Sequence, residues 1–182
     1  SRHQLGLDYL WNLSNYFYGY NESRPWTWSY LVGLNVGANG ESALVSPYYA
    51  GLHTGVQLRA NLSPRTYIFA EPRIAAYTNE SSADWHKVDV RSHILFGMGA
   101  RLTSPYKSLQ WDYSIDADSV SWTDNFFLQL SMGAFDSYVD LRNGAKEMGP
   151  SFHFAAGRWL NPKLALRASL YAEQLNRLHR NR

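Results

Sequence analysis

Apolar and polar positions alternate with a period of two along most of the chain, the signature of half-buried β-strands. In 4–14, Leu5, Leu7, Tyr9, Trp11 and Leu13 lie on one face, with Gln4, Gly6, Asp8, Asn12 and Ser14 on the other. Only Leu10 breaks this pattern, and the apolar spacings of three and four that a helix needs are absent. The alternation recurs in 28–38, 48–62, 66–77, 88–102, 126–134, 151–160 and 164–175. About eight strands result, most of them about 10–15 residues long. Globular strands average about 5–6 residues, whereas a tilted strand that crosses a bilayer needs about 9–11. Length therefore favours an all-β fold, an antiparallel up-and-down transmembrane β-barrel of about eight strands.

Alternation alone does not say which face points inward. A soluble lipocalin-like ligand-binding barrel turns its apolar face in, and a membrane barrel turns it out to lipid. Three features favour the membrane. The polar faces are rich in glycine, as a crowded interior requires. They carry charges of both signs near mid-strand, with Arg59, Glu71, Arg73, Arg91 and Arg167 prominent and almost no lysine. Arginine is the better partner for a buried carboxylate, which its planar fork can grip at two points. Tyr and Trp gather near strand ends, at Tyr9, Trp11, Tyr16, Trp26, Trp28, Tyr48, Tyr49, Tyr77, Trp85 and Trp159. Of these, Trp11, Trp28, Tyr48, Tyr77 and Trp159 are expected to form an aromatic girdle at the membrane interfaces.

Turn chemistry supplies a direction. The stretches 62–65 and 160–163 are short and contain proline, as periplasmic barrel turns do. The connections around 79–87 and 136–149 are longer and polar, as external loops are. Three parts follow: strands in 1–102, a periplasmic connection in 103–125, and strands in 126–182. Both termini then fall on the extracellular side. With no initial Met and no leader, the chain is expected to be a processed protein or a portion of a longer one.

Composition narrows the function classes. Thirteen Tyr, seven Trp and eight Phe against 18% charged residues make a β-rich inventory. A net charge of +2 argues against a large basic face for nucleic acid. The lack of cysteine excludes disulfides, cysteine-ligated zinc and thiol catalysis. No apolar run is long enough for a transmembrane helix.

The stretch Asp8-Tyr-Leu-Trp-Asn-Leu-Ser-Asn15, followed by Gly19-Tyr-Asn-Glu22, Arg24, Trp26, Tyr30 and Gly33, resembles the barrel of the OmpA-like outer-membrane proteins of Bacteroidota. The runs Met148-Gly-Pro-Ser-Phe152, Gly157-Arg-Trp-Leu-Asn-Pro162 and Leu164-Ala-Leu-Arg167 resemble the second and third strands of that family, and 55–77 its sixth and seventh. The order departs from the family: 1–102 looks like the second part of such a barrel and 126–182 like the first. A junction of tandem barrel units and a larger barrel built from repeats both fit that order. The resemblance implies residence in the outer membrane of a Gram-negative bacterium. It also implies contact with the lipid bilayer, with lipopolysaccharide and with other outer-membrane proteins, and no role with nucleic acid.

The inward polar residues are the constellation with physical content. Asp8, Arg59, Glu71, Arg73, Arg91, Arg167 and Glu173 are expected to form a lumen network, with Gln57 facing Glu71, because charge in a dry lumen must be paired and hydrogen-bonded. His53, His93 and His153 share the inward faces, where satisfied interior histidines outweigh a metal site. Ser81, Ser82, Asp84 and His86 share one loop, a set that a polar loop assembles by chance. The tail residues Arg177, His179, Arg180 and Arg182 suit a solvated end better than a phosphate site. The expectation is a non-enzymatic outer-membrane barrel without cofactors, with a structural or interaction role and a lumen plugged by the Arg/Glu network, suited to a subunit of an envelope complex. The alternatives are a small pore or repeat unit of a larger porin, a barrel enzyme acting on lipids, and the soluble lipocalin-like barrel.

Overall fold

The computed structural model describes residues 2–21, 23–39, 48–78, 88–102, 125–139, 145–174 and 176–177. Eight long strands dominate: β1 (Arg2–Asn12), β2 (Trp26–Asn39), β3 (Tyr48–Asn61), β4 (Thr66–Thr78), β5 (Val88–Arg101), β6 (Phe126–Val139), β7 (Ala145–Asn161) and β8 (Leu164–Glu173). A six-residue helix, α1 (Leu13–Tyr18), joins β1 to β2, and a two-residue strand, β9 (Asn176–Arg177), follows β8.

Each strand pairs antiparallel with its neighbours in sequence, and β1 also pairs with β8, so the sheet closes on itself. The result is a closed eight-stranded antiparallel up-and-down β-barrel. β9 continues the register of β8 against β7, pairing Arg177 with Glu147 where Glu173 pairs with Ser151. The stretches 1–102 and 126–182 contribute five and three strands to this one barrel, so neither closes by itself. The connection expected in 103–125 lies outside the described residues except for Asn125.

The closure is staggered. Paired residues followed round the wall from Asp8 through Gly33, His53, Ala75, Arg91, Ser137 and Glu147 lead to Arg177, ten residues beyond the Arg167 that Asp8 meets directly. Such a stagger tilts the strands, and eight tilted strands enclose a space just wide enough for side chains to fill.

Burial follows the alternation, but with polar groups inside. Gln4, Asp8, His53, Gln57, Arg59, Glu71, Arg73, Arg91, Gln129 and Arg167 are buried, while Leu5, Leu7, Leu34, Leu52, Ile74, Phe96, Met98, Leu130, Phe152 and Leu170 are exposed. The strand glycines share the inward parity. Gly33 shows why: an added Cβ would come within 2.5 Å of the Asp8 carboxylate and the His53 ring. At Gly133 it would run into the backbone of Ile94, which cannot yield as a side chain can.

The bounds of β1, β6 and β7 depart most from the sequence expectation. β1 stops at Asn12 and not at Ser14, because the Asn12 side chain caps α1 by accepting a hydrogen bond from the Asn15 amide at 2.9 Å. Gly19, with φ of 71°, closes that helix in a conformation that glycine adopts readily. β6 runs on to Val139 and β7 begins at Ala145. The alternation fades there because apolar Phe135 takes an inward position, while Gly149 has no side chain and Pro150 has no N–H. The β3–β4 ladder pairs Gly55 with Arg73 and Leu58 with Ala70 but lapses between them, beside Pro72.

Candidate functional site

The interior is the richest assembly of polar groups in the fold. At its centre Arg167 reaches two carboxylates. Its Nε donates to Asp8 Oδ2 at 2.7 Å, and its two Nη groups donate to Glu71 Oε2 at 2.9 Å and Oε1 at 3.1 Å. Arg73 pairs with the same Glu71 and with the Tyr171 hydroxyl. Gln57 donates to Glu71 Oε2 at 2.5 Å, while Ser169 donates to Asp8 Oδ2 at 2.9 Å. His53 Nε2 lies 2.7 Å from Asp8 Oδ1. The strand tilt makes this possible, since Asp8 stands on β1, Glu71 on β4 and Arg167 on β8.

A second cluster lies toward the end of the barrel that carries the termini. Arg91 grips Asp89 at 2.9 Å and reaches Glu173 at 3.4 Å, with its guanidinium 4.4 Å from the centre of the Tyr77 ring. Gln4 donates to Glu173 at 2.8 Å and accepts from the Tyr77 hydroxyl at 3.0 Å. Asn35 donates to that hydroxyl at 3.1 Å. The interior thus sets Arg59, Arg73, Arg91 and Arg167 against Asp8, Glu71, Asp89 and Glu173. Burial of either set without the other would carry a desolvation cost of several kcal/mol per ion.

Toward the α1 end the interior turns apolar. Leu10, Leu31, Phe127 and Ala165 have no solvent exposure, and Trp159 packs against them. Leu10, the one break in the first strand's alternation, belongs to this cluster. Arg59 stands between the two regions. Its guanidinium lies 4.2 Å from the Tyr67 ring centre and donates to Gln57 Oε1 at 2.8 Å, so it meets Glu71 through Gln57.

All seven residues expected in the lumen network are buried and face inward. Gln4, His53, Gln129, Ser169, Tyr171, Tyr77, Asn35 and Asp89 join it, and strand parity is the signal that could have found them. The girdle expectation needs two corrections. Trp11, Trp28 and Tyr48 face outward, but Tyr77 and Trp159 face inward. Tyr77 holds an inward parity position and is 2% exposed, with its hydroxyl between Gln4 and Asn35. Trp159 shares the parity of Ser151, His153 and Gly157, which puts its ring among Leu10, Leu31 and Phe127. Tyr49 is likewise buried, edge-on to Tyr77.

The three interior histidines stand apart in role. His53 serves Asp8, His153 Nδ1 and Ser131 Oγ are 2.8 Å apart, and the His93 ring lies 5.9 Å from that of Phe135. Among the described residues no three His, Asp or Glu side chains gather as a metal site requires. Ser81, Ser82, Asp84, Trp85, His86 and the tail residues His179, Arg180 and Arg182 lie outside the described residues, as does the side chain of Arg177. No protein-family model, curated protein or solved structure matches this chain.

Proposed function

We propose that this chain is an outer-membrane β-barrel of a Gram-negative bacterium with a structural or interaction role, its lumen plugged by side chains. One observation carries the reading: the closed barrel is polar inside and apolar outside. Monomeric soluble proteins rarely expose continuous apolar patches beyond a few hundred Å². Here outward positions on every long strand carry exposed apolar side chains, from Leu5 and Leu7 on β1 to Leu166 and Leu170 on β8. A lipid-facing wall accounts for that surface, and a closed sheet is one of the two structures that satisfy their backbone in hydrocarbon. The soluble lipocalin-like alternative needs an apolar lumen. The interior instead carries the charge network, and its apolar cluster is a packed layer.

The plug reading is supported by the two regions of the interior in series. The Asp8–Arg167–Glu71 bridges span the barrel from β1 and β8 to β4, and the Leu10, Leu31, Phe127 and Trp159 cluster lies across the α1 end. With the interior committed to packing, the role falls to the outer surface and loops, as in a subunit of a larger envelope assembly. The resemblance of 8–33 to OmpA-like barrels points the same way.

Extraction and reconstitution test this. The folded protein should stay in solution only with detergent, and in planar bilayers it should give no sustained conductance. A folded, monodisperse protein in plain buffer would overturn the membrane reading. Steady conductance that rises in an Arg59→Ala variant would replace the plug by a small pore.

A further inference from the structure

The end of the barrel that carries α1 holds a separate set of charges. Arg24, Arg65, Arg101 and Lys163 stand there, and among the described residues none makes an ion pair with a carboxylate. The described residues of 12–28, 59–66, 100–102, 125–128 and 157–165 include no Asp or Glu. Arg24 donates instead to Asn15 Oδ1 at 3.2 Å and to the Gly19 carbonyl at 3.0 Å. Arg101 donates to the Pro64 carbonyl and to Asn61 Oδ1, both at 3.1 Å. The ammonium of Lys163 lies 5.4 Å from the Tyr16 ring centre.

These groups form one connected collar. Asn15 donates to the Pro162 carbonyl at 2.7 Å, and the Lys163 carbonyl accepts from the Asn12 amide at 2.7 Å. Asn61 donates to the Arg24 carbonyl at 2.9 Å. A file of rings crosses the same rim on the outside: Trp11 to Tyr16 at 5.0 Å, Tyr16 to Phe17 at 5.2 Å, and Phe17 to Trp28 at 6.3 Å between centroids. Phe17, Tyr18 and Trp26 are each more than 60% exposed. Leu62, Leu102 and Leu160 are exposed beside the collar, where the apolar wall begins.

We infer that this basic, aromatic collar binds the phosphate headgroups of anionic phospholipids. The inference rests on the membrane-barrel reading above. Arg24, Arg65 and Lys163 sit before β2, in the β3–β4 turn and in the β7–β8 turn, so they are spread round the barrel mouth, with Arg101 on the lumen side at the end of β5 near the Tyr67 ring. A planar layer of headgroups surrounds a barrel in that way, whereas a protein partner would meet one side. Tyr and Trp rings belong at headgroup depth, with their apolar bodies toward the acyl chains. Among the described residues nothing neutralises these cations, because carbonyls and rings carry no net charge.

The test is native mass spectrometry of the detergent-purified protein titrated with phosphatidylglycerol and, separately, with phosphatidylcholine. The wild type should bind phosphatidylglycerol more tightly, with the preference falling about five-fold for each charge removed in R65Q and K163Q. R65K and K163R should keep it, which shows that the turns still fold. Equal binding of the two lipids by the wild type, or an unchanged preference in the double variant R65Q/K163Q, would overturn the inference. A wild type soluble without detergent that takes up neither lipid would overturn the membrane reading itself.

Discussion

Arg167 and Lys163 stand four residues apart in the chain and in contrasting surroundings. Arg167 has no solvent exposure and holds two carboxylates, with Gln129 accepting a further bond at 2.8 Å. Lys163 is exposed at a two-residue turn and faces an aromatic ring. The same division separates the interior arginines from the whole α1-end collar. Inside, low dielectric makes an unpaired charge untenable, and Arg59, Arg73, Arg91 and Arg167 each acquire a carboxylate directly or through one amide. At the rim solvent screens the charge, and pairing is optional. Interior charge therefore serves the fold, and rim charge is free to serve a contact.

The largest break in this comparison should come from Arg167→Met. It strands the carboxylates of Asp8 and Glu71 in the interior, and breaking a buried pair typically costs about 3–5 kcal/mol. Urea unfolding in detergent micelles should show that loss, and a change of less than about 1 kcal/mol would mean that solvent reaches the centre of the barrel. Adding Glu71→Gln to Arg167→Met should recover part of the loss, because groups in one network couple by about 0.5–3 kcal/mol. Strict additivity would separate Glu71 from Arg167 energetically despite their two hydrogen bonds.

Gly133→Ala should cost about 1–3 kcal/mol by forcing the β5 backbone away from β6. The same unfolding assay reads it, and a neutral result would show that this part of the wall is loosely packed. Tyr77→Phe removes the hydroxyl that Gln4 and Asn35 share and should cost about 1–2 kcal/mol. A stabilised variant would mean that Gln4 and Asn35 are satisfied without that hydroxyl. Lys163→Gln should leave the unfolding midpoint unchanged. Raising salt from about 0.05 to 0.5 M should weaken lipid binding at the rim without touching the Arg167 contribution, because screening reaches exposed charge far more than buried charge.

Legibility differed between wall and interior. The strands could be read directly, because a sheet with one polar and one apolar face must alternate at period two. Where the inner face itself becomes apolar, as at Phe135, alternation loses contrast and the expected strand stops short, while Leu10 only interrupts the pattern within β1. Helix α1 was missed because six residues give no measurable helical period, although Asn12 before Leu13 is a capping signal. The network's membership was legible from parity at Asp8, Arg59, Glu71, Arg73, Arg91, Arg167 and Glu173. Tyr77 and Trp159 point inward for the same reason that Trp11, Trp28 and Tyr48 point outward: parity, not residue type, decides which way a ring points.

The chain by itself determined the number of long strands, which residues share a face and the charge balance of the polar face, because each depends on a repeat of two residues. The tertiary structure decided which charges meet. Asp8 and Arg167 are register partners on strands one and eight, and the strand tilt that comes with the ten-residue stagger of the closed barrel brings Glu71 on strand four to their height. Closure itself was also a tertiary matter. The pairing of β1 with β8 joins residues more than 150 positions apart, and no local pattern encodes a contact across that distance.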